Sequence, residues 1–429
     1  MKLAILGFGD EGKSLLSYLK KSPQYKNADI WILDKNTALG PELKRLTFSY
    51  TVGLHYLAHI NQFDVIFRSP GVPYTLLGDH FKKLRIHDWQ SRVSSQTALF
   101  FKELQKYKLQ TKNIKPLVIG VTGTKGKGTT STLIYTMLKN AGYTVVLAGN
   151  IGTPMIASLT RAKKADYVVL ELSSFQLQDL ACSPDIAVVL DIFPDHLDAH
   201  KTVREYYSAK KNIGRFQAPS AKIFFYTTNT GSSRIASVSP AQKYPLTPKH
   251  NNLKKNVEMA SVVAKSCGCS NRVIRNTIKK FKGLEHRLEL VTKIKSISFY
   301  NDSAGTNPAA TAAAVLSFTD PIVLIAGGKD KGFSYESLNA ALKKSTAQHV
   351  ILFGENKMKI AHTIKNSRLH VIIAHTLHEA VQMAFARAQE LAAQKESATV
   401  VFSPAAASFD MFKNYKDRGE QYKKLVRAL

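Results

Sequence analysis

The stretch Gly123-Thr124-Lys125-Gly126-Lys127-Gly128-Thr129 sets three glycines and two lysines within seven residues. That combination suits phosphate. Glycines let backbone amides approach an anion, and a helix N-terminus beyond them adds positive potential. Lys127 is placed to reach the outer phosphates of a nucleotide, and a neighbouring hydroxyl to hold magnesium. The generic phosphate-loop spacing is met imperfectly. Gly120 stands one residue too far from Gly126, and Gly128 follows the lysine where Ser or Thr is usual. The metal hydroxyl therefore falls to Thr129. A glycine-rich turn without ligand is the plainer alternative, and the two lysines weigh against it.

Other polar clusters could complete such a site. Glu171-Leu172-Ser173-Ser174-Phe175-Gln176-Leu177 and Pro194-Asp195-His196-Leu197-Asp198 each follow a short apolar run. A lone Glu or His at such a place is usually structural, but a carboxylate and an imidazole converging on a phosphate cradle suit metal ligation. Lys210 follows the pair Tyr206-Tyr207, and spacing alone reads it as a solvated lysine. Near the start, Gly7-Phe8-Gly9-Asp10-Glu11-Gly12 fits a dinucleotide fingerprint, with Asp34 about 20 residues on for a ribose or base edge. Ser69-Pro70-Gly71-Val72-Pro73 adds a rigid turn.

These clusters need strands and helices to hold them. Lys2 to Leu6, Ile30 to Leu33, Phe63 to Phe67, Leu117 to Val121, Tyr143 to Ala148, Tyr167 to Leu170 and Ile186 to Leu190 read as strands, each with polar residues at its C-terminal end. A helix is expected from near Thr130, others at Tyr206 to Lys211, Leu253 to Cys267 and Arg272 to Phe281, and a surface loop from Thr227 to His250. Beyond Arg287 the alternation repeats, with strands at Ser296 to Tyr300, Ile322 to Ala326, His349 to Phe353, His370 to Ala374 and Thr399 to Phe402. Three α/β units in a row are expected.

The chain has 429 residues, too many for one core, and carries a net charge of +29. That charge suits anionic substrates, and would also suit nonspecific contact with nucleic acid or an anionic membrane. The lysines are dispersed and no nucleic-acid recognition signature accompanies them, so a basic solvated surface is expected. No run approaches the roughly 18 consecutive apolar residues of a membrane span. Met1 to Gly9 reads as a strand and not as a signal peptide. Cys182, Cys267 and Cys269 have no metal or disulfide spacing, which fits a reducing cytoplasm.

Together these clusters resemble the Mur ligases, ATP-dependent amide-forming enzymes of peptidoglycan precursor synthesis, from the first strand to Gly419. The stretch from Glu171 to Leu177, and Ser403 to Asp410 with Lys413 to Gly419, look most like the members that add D-glutamate. The resemblance implies an α/β fold of three domains: 1–92 Rossmann-like for a UDP-linked substrate, 93–287 a central ATP-binding domain, and 288–429 Rossmann-like for the amino acid. It implies a monomeric enzyme that uses ATP and two magnesium sites. In that enzyme Gly123 to Thr129, Asn256, Arg287 and Asp302 contact ATP. Thr129, Glu171, His196 and a carbamylated Lys210 hold metal. Asp10, Asp34, Ser69, Gly71, Asn150 and Ser173 contact the UDP substrate, and Thr306, Lys331, Ser408 and Tyr415 the D-glutamate.

Three departures from the family pattern stand out: Lys125 for Asn, Gly128 for a hydroxyl residue, and Ala304-Gly305 for Lys-Ala. Gly after the loop lysine is shared with folylpolyglutamate synthases. Another amide ligase of this architecture, or a nucleotide-binding protein without catalysis, are the alternative readings.

Overall fold

In a computed structural model the described residues are 1–46, 48–151, 153–196, 199–250, 252–364 and 368–429. Gly152, together with Leu197 and Asp198 of the cluster Pro194 to Asp198, lies outside them. Among the described residues, branched apolar runs form three sheets. The first contains β1 (Lys2–Leu6), β2 (Asp29–Asp34), β3 (Ser49–Val52), β4 (Val65–Arg68) and β5 (Val93–Ser94), all parallel, in the order β3-β2-β1-β4-β5.

The second contains β6 (Leu117–Thr122), β7 (Val145–Gly149), β8 (Tyr167–Glu171), β9 (Ile186–Val189), β10 (Lys222–Tyr226) and β11 (Gln242–Leu246). It too is parallel, in the order β11-β10-β9-β6-β8-β7. β8 and β9 are buried along their whole length, as strands covered on both faces must be. The order of crossing reverses at β6, which lies between β8 and β9. Open parallel sheets bind ligands at that switch point, beyond the strands' C-terminal ends.

The third sheet is mixed: β12 (Glu289–Ile294), β13 (Ile297–Asn301), β14 (Ile322–Ala326), β15 (Ala347–Leu352), β16 (His370–Ile373) and β17 (Ala398–Phe402), in the order β12-β13-β17-β14-β15-β16. Only the β12–β13 pair is antiparallel.

The chain divides into two compact units, Met1–Phe281 and Lys282–Leu429. The first unit holds two sheets because one apolar core runs through both. Leu3, Ile32 and Phe67 join Val118, Leu170 and Ala187 in it, with Phe100 and Leu104 of the helix Gln96–Thr111 as shared filling.

Two expectations are corrected. The helix after β6 spans Lys127–Asn140, so Lys127 begins it and the turn is shorter than expected. The supposed loop from Thr227 to His250 contains the helix Thr230–Ala236 and β11. Asn229 caps that helix by accepting the Ser232 N–H at 2.8 Å. β11 carries Pro245 and lies at the sheet edge, where a missing N–H is tolerated. Polar composition and a proline hid both elements.

Candidate active site

The strand β6 delivers Thr122 to the switch point, and Gly123 to Gly126 turn the chain into the helix. Gly126 caps that helix with φ +83° and no side-chain hydrogen bond. A Cβ there would lie 2.5 Å from Asn256 Oδ1, so glycine lets the Asn256 carboxamide rest on the turn. Asn256 is held there by its neighbour: Lys255 pairs with Asp191 at 2.7 Å and covers the Tyr226 ring. Lys127 Nζ donates to the Gly123 and Thr124 carbonyls at 2.9 and 3.1 Å. Thr124 is a structural pin. Its N–H donates to Asp191 O at 2.8 Å, and its hydroxyl bonds both Phe193 O and Tyr206 Oη. Lys125 is exposed, Gly128 is buried, and Thr129 is half-buried.

Glu171 ends β8 opposite Val121 of β6 and is 2% exposed. Its Oε1 accepts from Asn150 Nδ2 at 2.8 Å, while Oε2 is buried with no hydrogen-bond partner. A carboxylate oxygen desolvated without a donor fits a hard cation.

Lys210, on the helix Val203–Arg215, is 2% exposed and so is not the solvated lysine its spacing suggests. Its Nζ donates to Thr122 Oγ1 at 3.2 Å and Gly123 O at 3.1 Å, above the Tyr206 ring. Burial, reinforced by the nearby Lys127 charge, holds its amine well below the ordinary range, against the pull of Asp195 and Glu171. An amine so placed is available as a neutral nucleophile.

His196 is exposed, with φ +53°, and meets the Phe175 ring edge-on at 5.1 Å. Phe175 also stacks on His200, whose Nε2 meets Ser174 Oγ at 2.9 Å and whose ring packs on Tyr206. Through these rings the segment after Glu171 is tied to the phosphate turn. Among the described residues, one group of three His, Cys, Asp or Glu ligand atoms lies within 4.8 Å: Glu285, His286 and Glu420. It is an ion-pair cluster, because Lys423 Nζ sits 2.5 Å from Glu285 and 2.7 Å from Glu420.

A cavity of 720 Å³ opens at the C-terminal ends of β1, β2 and β4, and Asp10, Asp34, Ser69 and Gly71 all line it. Asp34 Oδ2 accepts the Phe8 N–H at 2.7 Å, and Ser69 Oγ donates to Gly7 O at 2.7 Å. Asn150 and Ser173 are not in this lining. Asn150 holds Glu171, and Ser173 accepts the Gln176 N–H as a helix cap.

In the second unit Asp302 is 8% exposed; Ser403 Oγ donates to it at 2.6 Å and Leu288 N–H at 3.3 Å. Burial raises its carboxyl to about 6 despite those bonds. Gly305 permits this packing, since a Cβ there would lie 2.5 Å from Asp302 Oδ2. Arg287 is exposed, and Lys331 lies over the Phe409 ring at 5.9 Å. Thr306 is half-buried, Ser408 is buried, and Tyr415 begins the helix Tyr415–Arg427, accepting from Ser303 Oγ through its carbonyl. Arg418 was given no role by the sequence. It is fully buried and donates to Ser303 O, Ala406 O and Ala407 O, which fixes the loop before Ser408.

A phosphate turn at a switch point, a buried amine beside it and an orphaned carboxylate oxygen define a nucleotide-dependent group-transfer site. Comparison with known proteins agrees. Residues 121–294 match the Mur ligase middle domain, and residues 286–405 the Mur ligase, glutamate ligase domain. The chain is 34% identical to UDP-N-acetylmuramoylalanine–D-glutamate ligase of Acetivibrio thermocellus, over 100% of this chain and 96% of the relative. It is 32% identical to the Ruminiclostridium cellulolyticum protein of the same name, over 100% and 97%. The fold matches the crystal structure of UDP-N-acetylmuramate-alanine ligase from Thermotoga maritima with a TM-score of 0.57, covering 100% of this chain and 99% of that one at 15% identity. The chain belongs to the Mur ligase family, enzymes that form amide bonds with ATP.

Proposed function

We propose that this enzyme joins D-glutamate to the carboxylate of UDP-N-acetylmuramoyl-L-alanine, splitting ATP to ADP and phosphate. The observation that carries the reading is the pair of buried groups at the phosphate turn, the Lys210 amine and the free Glu171 oxygen. The full-length likeness to two D-glutamate ligases supports the substrate choice.

An amine cannot displace oxide from a carboxylate. The γ-phosphoryl group moves first to a carboxylate oxygen, giving an acyl phosphate and ADP. The D-glutamate amine then attacks the carbonyl carbon, phosphate leaves, and the nitrogen loses a proton. The amides of Gly126 to Gly128 and the Lys127 ammonium offset charge on the moving phosphoryl group. Asn256, Arg287 and Asp302 seat ATP. The cavity at Asp10, Asp34, Ser69 and Gly71 seats the uridine end, and Thr306, Lys331, Ser408 and Tyr415 receive the amino acid. Asn150 and Ser173, which also hold Glu171 and cap the helix after it, complete the contacts to the UDP substrate.

The donor set fits magnesium. Thr129, Glu171, His196 and a Lys210 carbamate would hold it, in two sites, and it would supply Lewis-acid charge neutralisation. A neutral Lys210 reacts with carbon dioxide where an ammonium would repel the cation.

We assign 1–92 to the UDP-linked substrate, 93–287 to ATP and 288–429 to the amino acid. We place the enzyme in the cytoplasm as a monomer. Its three cysteines are unpaired, and no helix among the described residues is long and apolar enough to cross a membrane. Phosphate release from ATP, measured with UDP-muramoyl-alanine and a panel of amino acids, tests the proposal. Release should require the nucleotide substrate and be fastest with D-glutamate. Preference for another amino acid or a folate acceptor, or no release at all, would refute it.

A further inference from the structure

The cavity at the end of the first sheet carries local charge that does not suit an anion. Asp10, Glu11, Asp34 and Asp79 line it, and the cations among its described lining residues are Lys35 and Lys201. The net charge of +29 draws anions from a distance, but screening limits its reach to about 8–10 Å. Inside the cavity the nearest groups decide. Two of the carboxylates are already engaged: Asp34 accepts from Phe8 and Asn36 N–H groups, and Glu11 accepts from Gln176 Nε2 at 3.0 Å.

Lys201 is placed unlike an ordinary surface lysine. It follows His200, whose fully buried ring is clamped by Phe175, Ser174 and Tyr206. Its backbone is therefore anchored while its side chain stays 57% exposed. From there it reaches Asp79 on the helix Tyr74–Lys83 at 2.6 Å, across the cavity rim. Exposed pairs of this kind contribute little stability. The helix Asp10–Lys21 opens on the same cavity, and its cap Gly9 makes no side-chain bond to its first amides. Free helix amides take one side of a phosphate, and a cation is needed opposite.

We propose that Lys201 binds the diphosphate of the nucleotide-linked substrate, leaving Asp79, which holds it over the cavity until then. A diphosphate offers more charge and more acceptor oxygens than one carboxylate, so the exchange favours the ligand. The inference rests on the reading that this cavity takes the UDP end, and the test separates the two.

Calorimetric titration of the full chain with UDP and with uridine is compared for the wild type, Lys201→Ala, Lys201→Arg and Asp79→Asn. Lys201→Ala should weaken UDP binding about tenfold and leave uridine binding unchanged. Lys201→Arg should restore most of the loss, and Asp79→Asn should bind UDP about two- to threefold more tightly because the lysine is released. Unchanged uridine affinity also reports an intact fold. Equal UDP affinity in Lys201→Ala, or equal loss for UDP and uridine, would overturn the role of Lys201. Weaker UDP binding by Asp79→Asn would overturn the exchange. A wild type that binds neither ligand would sink the cavity assignment itself, and the proposal with it.

Discussion

Arg68 Nε donates to Asp179 Oδ2 at 2.9 Å, with the two side chains 1% and 3% exposed. Arg68 ends β4, and Asp179 lies just beyond the helix Ser174–Leu177. The same guanidinium donates to Val72 O at 2.8 Å and Phe175 O at 2.7 Å. One side chain thus fixes both the cavity turn at Ser69 to Pro73 and the segment that follows Glu171.

Removing one partner strands a buried charge. Arg68→Ala is expected to lose about 3–5 kcal/mol of stability, and replacing both partners by apolar residues should cost less than the single change. Denaturant midpoints of the first unit check this. The Michaelis constant for the UDP substrate should also rise in Arg68→Ala. A single variant as stable as the wild type would show that the pair carries no structural weight.

Lys210 should act only after reacting with carbon dioxide. Its depressed amine, buried against Thr122 and Gly123, keeps the neutral form available. Lys210→Ala should be inactive and partly rescued by formate or acetate. The wild type should take up isotopically labelled bicarbonate at this residue and lose activity in carbon-dioxide-free buffer. Full activity of the alanine variant would remove Lys210 from the site.

Much of this site was legible from side-chain type and spacing. Glycines and lysines at Gly123 to Gly128, and the polar ends of β6, β8 and β9, follow from patterns confined to a few residues. What could not be read is made by residues distant in the chain. Arg68 and Asp179 are 111 positions apart, Gln176 and Glu11 165, and Arg418 and Ser303 115. The bonds of Asn150 to Glu171 and of Ser173 to Gln176 likewise need the β7–β8 register and the helix cap to be seen. The run Lys222–Tyr226 also carries a strand signal, in the four consecutive apolar and aromatic residues Ile223 to Tyr226. β3 and β12 are short or half-exposed and gave little contrast.

Gly128 leaves the phosphate helix without a hydroxyl at its second position, and Thr129 at the third is the nearest replacement. If Thr129 holds magnesium, Thr129→Ala should cost several kcal/mol of transition-state stabilisation, on the order of a metal's contribution. Gly128→Ser should then help little, because Gly128 is buried in the helix and Thr129 already supplies the hydroxyl. Turnover over a magnesium titration decides. A mild Thr129→Ala beside an activated Gly128→Ser would mean that the missing hydroxyl is simply absent.

Asp302 gives a pH signature. Its carboxyl is raised from 3.8 to about 6 by burial. The folded state therefore holds its proton more tightly than the unfolded state between those values, and stability falls as pH rises through that window. Below it the contribution is absent; above it the penalty is constant, at most about 3 kcal/mol. The stability of Asp302→Asn relative to the wild type should therefore grow from pH 3.8 to about 6 and level off beyond. A difference independent of pH would place the shift elsewhere.

In the proposed reaction ATP activates the carboxylate of a UDP-linked muramoyl-alanine for attack by D-glutamate. The direct measurement follows heavy oxygen from that carboxylate while the enzyme turns over with ATP and D-glutamate. One labelled oxygen should appear in the released phosphate for each amide formed, because the acyl phosphate breaks at its carbonyl carbon. Amide formation with unlabelled phosphate, or phosphate release without amide, would contradict the account.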